Sequence, residues 1–490
     1  MVAQAGSHQI ASDVDTGGPA VTTVVLATFA LALLLRVTFF EGLWPADAVH
    51  YVKYAAEWNH LPQSHWETRL LYVGSLHLTI QSFGCSEGAL ALPSLIPSLA
   101  TSLVTVLIAA YALSARAALF AGLVTASLPV DVAFATVPLP GCLATFFITA
   151  GVGCLLVDDI PARDFLGPFT FVLAIFTHLT TVFLIGFVLG TAFLLASNPR
   201  ERRRAVAWLV AAAVGYCAIE FLTYWWLTRD PFYEFRIIPK TSPRLDPSVT
   251  TFSAAWFAWP VLAWIISKDF GLATLSVSIL WFAHRQSTPR SIRILLGASV
   301  AFWVWIGYGT QSPFEFRPFW RSARFAQTFA APLALTLGFY LARLRRLGMA
   351  LAVFVTAVNV LLIAASGPWG QDVEINKELL PAIRSTTDVA FITDAATRDQ
   401  LYVLNGCRYL DNVFTSDDPR HAQFDRYGTI VNPLGSNTMP VGYLETSTLA
   451  TTSRHYRSVA YLVPSALRTR IGWFERRPPG RLVEIVPALR

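Results

Sequence analysis

Charge is what this sequence has least of. Asp, Glu, Lys and Arg make up 14% of its 490 residues, whereas an ordinary soluble domain carries about 25%. A conventional soluble enzyme is excluded for most of the chain. Cysteine is sparse as well. The five residues at 85, 142, 154, 217 and 407 show neither metal-ligand spacing nor a disulfide framework. No cluster of metal-ligating side chains is visible along the chain. The first twenty residues contain no Lys or Arg. They lack the basic start of a cleavable signal peptide, so the first apolar run reads as an anchor. No internal repeat is evident.

What is abundant is hydrophobic sequence, 54% of residues, with mean hydropathy +0.50. It is unevenly spread. Residues 21–366 hold long apolar runs, while 367–490 read as ordinary soluble sequence. At ~20 residues per span, the first part accommodates about ten to eleven transmembrane helices. The expected fold is therefore a polytopic α-helical membrane protein with a small C-terminal α/β domain. Spans are expected at 21–40, 89–113, 117–136, 139–157, 205–227, 292–309, 325–342 and 347–366. A pair of short helices hinged near His178 covers 165–196, and a broken segment covers 252–283. Cys142, Cys154 and Cys217 fall in apolar runs and read as small core residues.

The net charge of +6 does not indicate nucleic acid, because the basic residues cluster at span ends. Arg116, Arg163, the arginines of "NPRERRR", Arg285, Arg290, Arg293, Arg343, Arg345 and Arg346 fall on one side of the alternating count. That side reads as cytoplasmic. Residues 1–20 are then a cytoplasmic tail, and the loop 41–88 and the unit 367–490 face outside. Cys85 and Cys407 both lie on that outer side, where the sequence leaves open whether they pair. Arg36, near the end of the first span, is tolerable if it snorkels to the interface or meets an anion. In the tail, "DVAFITD", "GTIVN", "SVAYLVP" and "RLVEIVP" read as strands, and "EINKELLPAIR" and "TRDQLYVLNG" as helices.

The first external loop carries "PADAVHYVKYAAEW" at 45–58. A helix here gathers Val49, Tyr51, Val52 and Ala55 on one face and reads as an amphipathic segment in the interface. His50 reads as an exposed helix position. Asp47 has two compatible readings. It can cap the helix, or it can take a proton from an acceptor hydroxyl at the membrane surface. Outward cations suit the head group of an anionic lipid, because arginine holds phosphate bidentately. Glu67 and Arg69 are either a local surface pair or contacts to donor and acceptor. His178 is either a satisfied buried group or part of the site. Arg317, Arg321 and Arg324 in "RPFWRSARF" share a helical face. They read as interfacial anchors beside Trp320 or as a phosphate cradle.

The order of these elements carries a resemblance. A span ending in Arg and aromatics is followed by "PADAVHYVKYAAEW", then "RLLYVGSLHLTIQSFG", then "ALALPSLIPSLATSLVTVLIAAYAL". This resembles the opening of the polyprenyl-phosphate-dependent GT-C glycosyltransferases, in the branch of the dolichyl-phosphate-mannose protein mannosyltransferases and lipid A aminoarabinose transferases. "FVLAIFTHLTTVFLI", "YWWLTRDPFYEFR", "RFAQTFAAPLALTLGFYL" and "ITDAATRDQLYVLNG" are similar to later family segments.

The resemblance implies an inverting transfer of a sugar from a polyprenyl-phosphate donor to a hydroxyl on a lipid, glycan or protein. The reaction would occur at the outer face of the cytoplasmic membrane. Asp47 would be the general base. Tyr51 would line the site, with Glu67 and Arg69 near it. His178, Arg321 and Arg324 would hold the phosphate. No cofactor is implied, and a divalent cation on the phosphate is left open. The chain departs from the family pattern at Ala48, where a second acid commonly stands. It departs also at Gly141, another acidic position, and at His178, commonly Lys. A lipid-linked-sugar transporter or a non-catalytic membrane scaffold are the competing readings. A transporter would show mid-span charges or paired broken helices.

Overall fold

The computed structural model describes residues 20–44, 47–58, 60–241, 254–265, 269–310, 323–365, 371–431, 451–455 and 481–485. The helices in chain order are α1 (Val21–Thr38), α2 (Asp47–Ala56), α3 (Leu70–Phe83), α4 (Glu87–Ala112), α5 (Ala115–Ser127), α6 (Pro129–Phe134), α7 (Gly141–Leu156), α8 (Arg163–Thr177) and α9 (Thr181–Leu194). They continue with α10 (Pro199–Thr228), α11 (Tyr233–Thr241), α12 (Ala254–Ile265), α13 (Ala273–His284), α14 (Arg290–Tyr308), α15 (Ala330–Arg343) and α16 (Arg345–Ala365). The last two are α17 (Gln371–Ser385) and α18 (Ala395–Leu404). Among the described residues six helical stretches are long and apolar enough to cross a membrane: α1, α4, α10, α14, Phe325–Arg343 and α16. α5, α7 and α9 are shorter apolar helices. The chain is thus the mostly helical membrane protein its composition implied.

One feature departs from the sequence reading. The stretch 117–136 is not one helix. α5 stops at Ser127, Leu128 is extended, and Pro129 opens α6. A proline ring has no N–H to donate and is accommodated at a helix start. Of the two readings of Arg36, the structure shows the one in which it meets an anion. It is wholly buried and paired with Asp131 of α6, Nη2 to Oδ2 3.1 Å. Its Nε donates to Ser98 Oγ (2.8 Å) and its Nη1 to the carbonyls of Ala32 and Ala126. Gln327 Nε2 donates to the other oxygen of Asp131 (3.1 Å). One guanidinium therefore ties α1, α4, α5 and α6 together.

Small residues let the central helices approach closely. A Cβ on Gly338 of α15 would lie 2.8 Å from the carbonyl of Ala117 and from Ala121 of α5. Packing through such small residues suits helices in lipid, where no hydrophobic drive separates helix from hydrocarbon. α8 and α9 form the expected pair hinged at His178. α8 rises beside α10, with Gly167 against Trp208 and Gly215 against Val172. α9 returns, so that Arg290 at the start of α14 donates to the Ala192 carbonyl. The His178 hinge is thereby at the end of the bundle remote from the arginine run.

The tail holds both expected helices, and strands form at 389–392, 426–431 and 481–485, where "DVAFITD", "GTIVN" and "RLVEIVP" read as strands. "SVAYLVP" lies outside the described residues. The strands are β1 (Val389–Ile392), β2 (Val413–Phe414), β3 (Arg426–Val431), β4 (Thr451–His455) and β5 (Arg481–Ile485), in the order β2-β1-β3-β5-β4. β1 runs parallel to β2 and β3, whereas β5 is antiparallel to β3 and β4. Leu379, Ile383, Phe391, Leu401 and Ile430 form a core separate from that of the bundle.

Removing one partner of a buried ion pair strands the other charge and costs about 3–5 kcal/mol. Asp131→Ala should lower the thermal unfolding temperature of the detergent-solubilised protein markedly. The double change Arg36→Leu with Asp131→Ala should recover part of the loss. A double variant no more stable than the single would show that the pair is not the source.

Candidate functional site

The site is built on the loop between α1 and α4. The chain leaves α1 at Phe39 and turns at Gly42, whose φ of +71° is a left-handed conformation. A Cβ there would lie 2.6 Å from Glu87 Oε1. That oxygen accepts from the Leu43 N–H (3.0 Å) and pairs with Lys377 of α17 (2.8 Å). α2 then begins at Asp47. Ala48, Val49, Tyr51, Val52, Tyr54 and Ala55 are buried on it.

Asp47 Oδ1 accepts a hydrogen bond from Trp66 Nε1 at 2.8 Å. The indole also stacks on His50, centroids 4.4 Å apart, and lies 3.9 Å from the His65 ring. The carboxylate is thus held in one orientation by a rigid side chain. His50 is not the exposed residue the sequence suggested. Burial pushes its imidazole below the ordinary value, against the pull of Asp399 and Asp47.

The other sequence-derived positions divide. Tyr51 is only 3% exposed and meets Tyr72 edge to face. It packs on the face α2 turns to α3. Glu67 is committed to its own turn, accepting from the Gln63 N–H (2.6 Å) and Ser64 Oγ (2.9 Å) with His60 at 3.7 Å. Arg69 immediately precedes α3. Its Nε and Nη1 are buried and have no hydrogen-bond partner among the described residues. His178 ends α8 in an extended conformation and packs edge to face on Phe325, centroids 6.3 Å apart. That places the hinge beside the turn Ala323–Phe329, to which Arg324 belongs. Arg321 lies outside the described residues. Asp47 and Trp66 meet directly, with Arg69 joined to Trp66 through its backbone N–H (3.5 Å), and His178 with the 323–329 turn forms another neighbourhood. α3 bridges them by packing against α8.

Several contributors escaped the sequence reading. Tyr224 of α10 donates to the Thr68 carbonyl (3.2 Å) and Tyr233 to that of Pro62 (2.8 Å), their rings stacked 5.7 Å apart. These tyrosines hold the 60–69 loop over α2. Glu220 of α10 is buried, and Glu234 of α11 accepts from Tyr216 of α10 (3.3 Å). No group of three or more His, Cys, Asp or Glu is gathered as metal ligands among the described residues.

The tail closes over the outer face of α2. Lys53 Nζ pairs with Asp399 of α18 at 2.8 Å. Burial disfavours the ammonium, yet the hydrogen bond and charge of Asp399 outweigh it and raise the Lys53 pKa. Tyr409 donates to Glu57 (3.3 Å). Cys85, between α3 and α4, is disulfide-bonded to Cys407, just past α18. α2 is therefore clasped between bundle and tail.

The disulfide closes a loop of 322 residues, and losing a native bridge typically costs 2–5 kcal/mol, about the upper range for so long a loop. Reduction, or Cys85→Ser, should raise hydrogen exchange in α18 and in α2 together and lower the unfolding temperature. Unchanged protection of α2 would show that the tail does not hold it.

No known family model and no curated protein matches the sequence. Solved structures do. ArnT from Cupriavidus metallidurans bound to undecaprenyl phosphate superposes with a TM-score of 0.64 at 15% identity, covering 96% of this chain and 100% of that one. The same protein in the apo state gives 0.60 at 14% identity, with the same coverage. The Archaeoglobus fulgidus oligosaccharyltransferase complex with Zn and sulfate gives 0.49 at 11% identity, covering 83% of this chain and 67% of that one. Over 96% of its length the chain has the fold of ArnT.

Proposed function

We propose that the protein is a membrane glycosyltransferase that moves a sugar from a polyprenyl-phosphate donor to a hydroxyl acceptor. The observation that carries this reading is the Arg69 guanidinium, buried at two nitrogens without a partner beside the loop that fixes Asp47 through Trp66. A buried cation without an anion is costly, and a phosphate would satisfy it bidentately. The ArnT fold supports the donor class, since that protein was crystallised with undecaprenyl phosphate.

In the proposed reaction the acceptor hydroxyl loses its proton to Asp47 as its oxygen attacks the anomeric carbon. The sugar–phosphate bond breaks on the opposite face, which inverts the configuration, and the polyprenyl phosphate leaves with the electron pair. His178 and Arg324 of the second neighbourhood, with Arg69 and with Arg321 by its place in the sequence, would hold the departing phosphate. The loop 41–88 is the catalytic loop in this reading. Residues 1–20 are cytoplasmic and 367–490 form an extracytoplasmic unit. The Cys85–Cys407 disulfide supports that orientation, since such bonds persist in oxidising compartments. A multi-pass position in the cytoplasmic membrane follows. The acceptor is a lipid, glycan or protein.

Asp47→Asn is the informative change, because an amide oxygen can still accept from Trp66 and preserve the local structure. In membranes fed a panel of radiolabelled polyprenyl-phosphate sugars, it should lower kcat by about 10²–10⁴, the usual worth of a general base. Arg69→Gln should chiefly raise KM for the donor. Equal transfer by wild type and Asp47→Asn at matched expression would remove Asp47 from catalysis.

A further inference from the structure

At the end of the bundle remote from Asp47, a groove of about 630 Å³ opens between α9 and α10. Its walls are hydrocarbon, with Phe193 from α9 facing Val206, Val210 and Val214 from α10, and its mouth carries Arg202 and Arg203. These belong to "NPRERRR", whose positive charge orients the chain. Orientation alone does not explain how the charges are distributed. Arg204 is engaged by Asp164, Nε to Oδ1 3.0 Å, and the Glu201 carboxylate is taken by Arg290. Arg202 and Arg203 have no carboxylate partner among the described residues, and both line the groove.

We propose that this groove binds one anionic phospholipid of the cytoplasmic leaflet. Its phosphate would lie on Arg202 and Arg203 and its acyl chain would lie along the valines. Length argues for a lipid over a free anion. From Arg203 to Val214 α10 rises about 16 Å at 1.5 Å per residue, which is about half of a ~30 Å hydrocarbon core. The apolar wall therefore spans one leaflet and ends where the head groups begin. Charge argues for an anionic head group, since basic pockets between helices on the cytoplasmic side select one. The groove is on the opposite side of the bundle from the proposed donor phosphate, so this inference stands whether or not the catalytic reading does.

The test uses the full chain in phosphatidylcholine nanodiscs titrated with phosphatidylglycerol. Native mass spectrometry reads retained lipid, and a parallel titration uses inorganic phosphate. Wild type should retain one phosphatidylglycerol in preference to phosphatidylcholine, and inorganic phosphate should not displace it. Arg202→Gln with Arg203→Gln should weaken retention roughly thirtyfold, the combined worth of two arginines at an anionic surface. Those changes could disturb insertion, so Ala207→Trp, which fills the groove and keeps every arginine, is the second variant and should abolish retention. Equal retention of both lipids, retention unaffected by either variant, or displacement by inorganic phosphate would each overturn the proposal.

Discussion

The geometry of this protein hangs on a charge placed where charge is expensive. Arg36 is completely buried among apolar helices, and two charges removed from water recover their desolvation cost only when every donor and acceptor is also satisfied. Here Nε, Nη1 and Nη2 all find oxygens, and Asp131 receives Gln327 as well. The network is selective as a result. Its satisfied state requires α1, α4, α5 and α6 to meet in one arrangement. Five residues after Arg36 the chain is already in the 41–44 segment, where Thr136 and Glu87 take the backbone N–H groups of Glu41 and Leu43. Asp47 follows four residues later. The segment that precedes the acid is thus anchored next to the arginine of this ion pair.

The second constraint comes from the other end of the sequence. α2 alone would be a ten-residue helix, too short to be stable by itself in water. It is held on one side by Tyr72, Val73 and Leu76 of α3 and on the other by Lys53–Asp399 and the Cys85–Cys407 bridge. Partners 346 residues apart in sequence thus fix one helix. A group that takes a proton must be held close to its productive position, and a helix clasped on two sides supplies that rigidity better than one floating in head groups.

Much of the architecture was legible because apolar runs and basic clusters are local signals. The hinge at His178, the paired tail helices and three of the strands follow from patterns within a dozen residues. What escaped was nonlocal. The partner of Arg36 is 95 residues away, inside a stretch that hydropathy alone reads as one span. The Leu128–Pro129 step was the available sign of a break. Trp66 looked like any loop aromatic, since nothing in its neighbours reveals that its N–H reaches Asp47. The shared face of Val49, Tyr51, Val52 and Ala55 was legible and is buried, but the partial burial of His50 was not, since it comes from Trp66 and the distant α18 covering the side that reads as open. Arg69 read as half of a surface pair with Glu67 or as a contact to donor or acceptor, and nothing local revealed that two of its nitrogens are buried without a hydrogen-bond partner.

The departures from the family pattern also acquire physical reasons. Ala48 stands where a second acid is common, and its side chain is 0% exposed. Adjacent residues on a helix point about 100° apart, so an acid at 48 would be driven into the core beneath Asp47, not set beside it. At Gly141 a Cβ would lie 2.5 Å from Gln327 Oε1. Gln327 occupies the space an acidic side chain would need, and spends its amide on Asp131 and on Cys142. Both missing acids are therefore replaced by packing that supports the Arg36 network and the underside of α2. In the proposed reaction Asp47 therefore acts without an acid at 48 or 141, in an orientation set by the Trp66 indole.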